Sequence, residues 1–168
     1  MNKQPTRIMT ALNTLAGVTL ALGICTTQSA WADDGTFTVA SLHGRYAYVN
    51  NTEGVASFGP MSFDGRGGVT LSETVNLPCA NPGQTCDRII ADVIATGTYT
   101  VKLDGTGVAA FAFKFANGLP IGTEKYHFVI NAATKQGRNL LATQIFAADR
   151  SGGLNGQLVA PTWSRVSD

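Results

Sequence analysis

Charge is scarce in this chain. Only 14% of its 168 residues are Asp, Glu, Lys or Arg, and twelve bases against eleven acids leave a formal charge of +1. That balance lacks the basic excess by which nucleic-acid-binding proteins hold phosphates. An apolar fraction of 44% also sets the chain apart from disordered, solvating tails. Histidine is scarcer still. His43 and His127 stand alone, with no spaced His/Cys/Glu cluster, which argues against a dedicated zinc site. Ser41 and Ser57 have no nucleophile-elbow glycines around them, so serine hydrolase chemistry has no support. Beyond residue 32 no stretch offers ten residues of helical period, and Asn131 to Arg138 allows at most a short turn. No cofactor and no metal are expected, and no residue is assigned a catalytic role.

What the sequence does hold begins with an export leader. Lys3 and Arg7 precede an uncharged stretch from Ile8 to Cys25, and Ala30-Trp31-Ala32 supplies the small residues that a signal peptidase accepts. Cleavage after Ala32 is expected, giving a signal peptide over 1–32 and a single domain over 33–168, periplasmic or secreted. Two alternatives are weaker. The apolar stretch is diluted by Thr and Asn and is marginal for spanning ~30 Å of hydrocarbon. Leu22-Gly23-Ile24-Cys25 matches a lipobox poorly because Ile24 is not small. Neither stable membrane insertion nor a nucleic-acid partner is expected of the remaining 136 residues, which carry ten bases and eleven acids. Their two cysteines, Cys79 and Cys86, are seven positions apart and suit one local disulfide in an oxidising compartment. Closing so short a loop contributes roughly 2.5 kcal/mol in the chain-entropy model. A redox or metal role is the alternative, but the spacing is not CxxC and no histidine lies nearby.

The domain itself reads as strand and turn. In Gly97-Thr98-Tyr99-Thr100-Val101-Lys102-Leu103 the odd positions are Gly, Tyr, Val and Leu and the even ones Thr, Thr and Lys. A strand sorts such residues onto two faces; a helix would smear them around its circumference. Asp104-Gly105-Thr106-Gly107 follows as a tight turn, and Phe111, Phe113 and Phe115 then share a face. The unit recurs at Phe63-Asp64-Gly65-Arg66-Gly67 and more loosely at Ala148-Asp149-Arg150-Ser151-Gly152. The pattern predicts strands near 44–50, 55–63, 68–76, 88–96, 97–103, 107–116, 124–131, 139–147 and 153–160, with 88–103 either one long strand or two. Eight or nine short strands with local hairpins predict an all-β, antiparallel, mostly up-and-down barrel, with a β-sandwich as the alternative.

Leu42-x-Gly44-x-Tyr46, Phe63-Asp64-Gly65-x-Gly67, Gly97-x-Tyr99-x-Val101-x-x-Asp104-Gly105-x-Gly107 and Phe128-x-Ile130 together resemble small exported bacterial proteins of calycin-like, lipocalin-like type. They also resemble, distantly, the allene oxide cyclase barrel. The likeness covers most of residues 41–160 and rests on turn and strand devices. It implies a barrel holding a small hydrophobic molecule, which a few members cyclise or isomerise. No residue matches a cyclase active site, so none is carried over.

Polar residues on apolar strand faces are the informative ones in such an interior. Glu73 shares a face with Val69, Leu71 and Val75; buried there, its carboxyl would be desolvated and able to orient or protonate a ligand. The alternative places Glu73 at a strand end, wet or paired with Arg45 or Arg88. Tyr46 and Tyr99 face inward by the repeat, Gln144 lies between Ala142 and Phe146, and Phe113 contributes an aromatic wall. Glu73, Tyr46, Tyr99, Gln144 and Phe113 are therefore the candidate ligand-binding residues. The Asp-Gly turns carry one acid each, where calcium needs several oxygens, and are read as turns. The reading placed first is a binding module for a small apolar or amphipathic molecule. A cofactor-free cyclase or isomerase is one alternative, and a structural or interaction protein with a filled core is the other.

Overall fold

The computed structural model describes residues 35–52, 54–78, 88–150 and 159–166. The expected signal peptide and the Cys79–Cys86 disulfide fall outside the described residues. Eight antiparallel strands close into one barrel in simple up-and-down order. They are β1 (His43–Thr52), β2 (Val55–Asp64), β3 (Gly68–Leu77), β4 (Ile89–Val101), β5 (Thr106–Phe115), β6 (Pro120–Gln136), β7 (Asn139–Asp149) and β8 (Thr162–Arg165). The ring closes where β8 pairs with β1, Tyr48 opposite Trp163. Closure of the ring pairs the two strands that would otherwise be the sheet's edges. Among the described residues no helix is long and apolar enough to cross a membrane.

Period-two alternation sets the faces, as expected. Tyr46, Tyr48 and Asn50 of β1 point in, as do Val69, Leu71, Glu73 and Val75 of β3 and Glu124, Tyr126, Phe128 and Ile130 of β6. The two Asp-Gly hairpins lie at one end of the barrel. Asp64 Oδ1 accepts from the Arg66 and Gly68 N–H groups at 2.7 and 2.8 Å, and Asp104 Oδ1 from the Thr106 N–H and hydroxyl at 2.9 and 2.7 Å. Gly65 and Gly105 take the positive φ these turns require, +73° and +81°. The looser third copy differs in place: Asp149 is the buried last residue of β7, at the opposite end, and the copy from Ser151 onward lies outside the described residues.

Of the two alternatives for 88–103 the structure shows one strand, β4 (Ile89–Val101). Other parts of the strand map are corrected. The last strand is Thr162–Arg165; 159–161 are not strand, and 151–158 lie outside the described residues. Asn131 to Gln136, expected as at most a turn, continue β6 as a hairpin arm with β7. All six are exposed, so neither face of that arm is apolar and no alternation marks it. A short 3-10 turn, Val39–Ser41, was not foreseen either.

That turn helps to close the Asp-Gly end. Phe37 and Leu42 are buried there, and the Phe37 ring packs against Gly105, where a Cβ would meet Phe37 Cδ2 at 2.9 Å. The Tyr99 hydroxyl donates to the carbonyls of Leu42 and Val39, at 2.8 and 3.0 Å. Above this plug the interior is filled with rings. Phe63 meets Tyr46 and Tyr99 edge-on at 5.2 and 5.0 Å, and Trp163, wholly buried, lies 5.6 to 5.8 Å from Phe128 and Phe63. Such pairs add about 0.5–1.5 kcal/mol each beyond the area they bury.

Candidate functional site

Beyond Trp163, toward the end away from the Asp-Gly turns, the described side chains stop filling the barrel. A cavity of about 310 Å³ remains, lined by six strands and by Val159. Val55, Val75, Val93, Phe113 and Ile121 give it an apolar wall. Its polar groups come from three places: Tyr48 and Asn50 on β1, Ser57 and Glu73 on β2 and β3, and Glu124 and Tyr126 on β6.

These groups form a chain across the cavity. Ser57 hydrogen-bonds both Glu73 and Tyr48, Tyr48 reaches Tyr126, and the Tyr126 hydroxyl donates to Glu124 Oε2. Glu73 is only 7% exposed, and its Oε2 has no hydrogen-bond partner. Burial pushes the Glu73 carboxyl up to about 7; the Ser57 bond opposes the rise and the charge of Glu124 adds to it. Burial likewise raises Tyr48 and Tyr126 well above the ordinary phenol range, so both stay neutral donors. At neutral pH the Glu73 carboxyl is thus present in both protonation states and can either donate or accept.

The alternative of a wet or ion-paired Glu73 does not hold. Arg88 turns to the rim, where it donates to Asn76 and to the Gly54 carbonyl, and Arg45 points outward from β1. Of the other sequence candidates, Phe113 lines the cavity with Glu73. Tyr46 and Tyr99 face inward but belong to the filled half: the Tyr46 hydroxyl donates to the Ala142 carbonyl at 2.7 Å, and Tyr99 secures the plug. Burial raises both phenols, Tyr99 to about 12. Gln144 lies away from the cavity, beside a slip in the β6–β7 ladder, and accepts from Asn131 Nδ2 at 2.8 Å.

Tyr48, Asn50, Ser57 and Glu124 escaped sequence reasoning, although the signal that found Glu73 was present for each. Glu124 precedes Tyr126, Phe128 and Ile130 on one face, and Ser57 sits between Val55 and Met61 on another. Among the described residues no group of three His, Cys, Asp or Glu side chains is placed to hold a metal ion. Compared with family models, with curated proteins and with solved structures, the chain finds no match in any of the three.

Proposed function

We propose that this protein is an exported barrel that holds one small apolar or amphipathic molecule in the cavity above Trp163. The observation that carries the reading is the contrast between the two halves of one interior. Around Trp163 the barrel is packed with aromatic rings, whereas around Val93 it leaves about 310 Å³ open between apolar walls and a few convergent polar groups. That size lies at the small end of the range for ligand sites. A filled-core scaffold would lack this space. The leader over 1–32 supports export, and the calycin-like strand and turn devices support a carrier role.

Native mass spectrometry of the protein purified from its own host tests the reading. A bound small-molecule mass that disappears in Val93→Phe, which fills the cavity, is the expected result. Bare protein that also fails to bind ethylbenzene or 2-phenylethanol contradicts it.

One observation favours a second reading, a cofactor-free isomerase or cyclase. Glu73 titrates near 7 and presents an unpartnered oxygen to the cavity beside two phenol donors. On that reading Glu73→Gln abolishes turnover of the bound molecule and spares its binding.

A further inference from the structure

Resting on the binding role proposed above, we infer that the polar end of the ligand is a cationic hydrogen-bond donor, an amine, seated between Glu73 and Glu124. The first support is the inventory of the lining. It holds two carboxyl groups and, among the described residues, no Lys, Arg or His. The two acids stand on β3 and β6, three strands apart in a ring of eight, so they bracket the space from nearly opposite sides.

The second support is Glu73 itself, a carboxyl buried to more than nine-tenths with one oxygen unpartnered at the cavity wall. Buried acceptors are almost always satisfied, so this oxygen calls for a donor. The neighbouring hydroxyls do not meet that need: Ser57 bonds Glu73 yet leaves Oε2 unpartnered, and Tyr126 donates to Glu124. The cavity therefore offers acceptors to a ligand. An anionic head would meet the two carboxyl groups, with no cation in the described lining to offset them. An ammonium supplies three donors and a compensating charge, and the rings of Phe113 and Tyr126 suit an apolar body and a nearby cation. The volume accommodates roughly ten non-hydrogen atoms at ~30 Å³ each.

A proton linkage follows. The groups facing Glu73 are Tyr48 from β1, Ser57 from β2 and Glu124 with Tyr126 from β6; β4 and β5 bring only Ala91, Val93 and phenylalanines. None of these is cationic. A cation favours the ionised carboxyl, so binding expels a proton, and affinity rises with pH up to about 7 before levelling.

Calorimetric titration of the dialysed protein with 2-phenylethylamine, 2-phenylethanol and phenylacetate tests the inference. The three share one apolar body and differ in the head group. At pH 8 the amine is expected to bind at least tenfold more tightly than the alcohol, with phenylacetate weakest. At pH 7 its binding heat should depend on the buffer, as proton release requires. In Glu73→Gln the amine should lose about tenfold in affinity and its preference over the alcohol should vanish, while a cooperative urea transition at pH 4 matching the wild type reports that the variant is folded. If the alcohol or phenylacetate binds as well as the amine, or Glu73→Gln keeps the amine preference, the amine inference is wrong and the binding role stands. If none of the three binds, both fall.

Discussion

Gly59 of β2 and Glu73 of β3 meet backbone to backbone. A Cβ on the glycine would stand 2.7 Å from Glu73 Cα and 1.9 Å from the Ser72 carbonyl oxygen. The missing side chain lets β2 lie against the stretch of β3 that turns Glu73 into the cavity. Since the obstructing atoms are backbone, they cannot swing aside. Gly59→Ala should cost about 1–3 kcal/mol in chemical denaturation, the usual range for overpacking, and weaken binding of any cavity ligand. Wild-type stability in that variant would show that the two strands are free to part.

Glu73 should make stability fall as pH rises. Its folded value of about 7 exceeds the ordinary 4.5, so between those pH values the folded chain holds a proton that the unfolded chain has lost. Stability from this group is therefore full below pH 4.5, declines through the window and is lost above 7, by on the order of 3 kcal/mol. Glu73→Gln cannot ionise. It should match the wild type near pH 4 and exceed it by pH 8 in urea titrations. A difference that stays constant with pH contradicts the burial of this carboxyl.

Tyr99 is expected to matter for the plug and not for the cavity. Tyr99→Phe leaves the buried Leu42 carbonyl without the hydroxyl donor and removes the second donor of the Val39 carbonyl, at a cost of about 1–2 kcal/mol. Hydrogen exchange should quicken at the Leu42 N–H, which donates to the Val39 carbonyl, while binding at the other end is unchanged. Unaltered exchange there would mean that the hydroxyl does not hold the plug.

Trp163 organises the filled half, with its indole Nε1 unpartnered. Trp163→Ala should cost about 3–5 kcal/mol through the cavity it leaves. Trp163→Phe should cost well under half as much, because a ring remains and the unsatisfied donor goes. Equal losses in thermal unfolding would assign the indole nitrogen a role of its own.

The barrel was legible because its signals are local. Alternation assigns a face without knowledge of the partner strand, and Asp-Gly turns tie neighbours into hairpins, so eight strands follow in order. The limits of the reading have equally local causes. The exposed arm from Asn131 to Gln136 has no apolar face to betray it, and the ladder slips near Ala132 and Ala133 accompany the displacement of Gln144 from the cavity. Glu73 and Phe113 were found by face alone. Whether an inward residue meets the packed half or the open half depends on its height along the barrel, which is set by the stagger between strands. For that reason Tyr46 and Tyr99, inward like Tyr48 and Tyr126, landed with the rings around Phe63. Glu124 needed only the alternation already used for Glu73, applied four residues before Phe128.

An acid facing a water-poor, unfilled space is what the binding role and its amine preference both need. The most direct measurement is the carbon-13 NMR titration of the Glu73 side-chain carboxyl in ligand-free protein, assigned by its loss in Glu73→Gln. A midpoint near 7, falling when 2-phenylethylamine is added, is the expected result. A midpoint at the ordinary 4.5, indifferent to the amine, would contradict it.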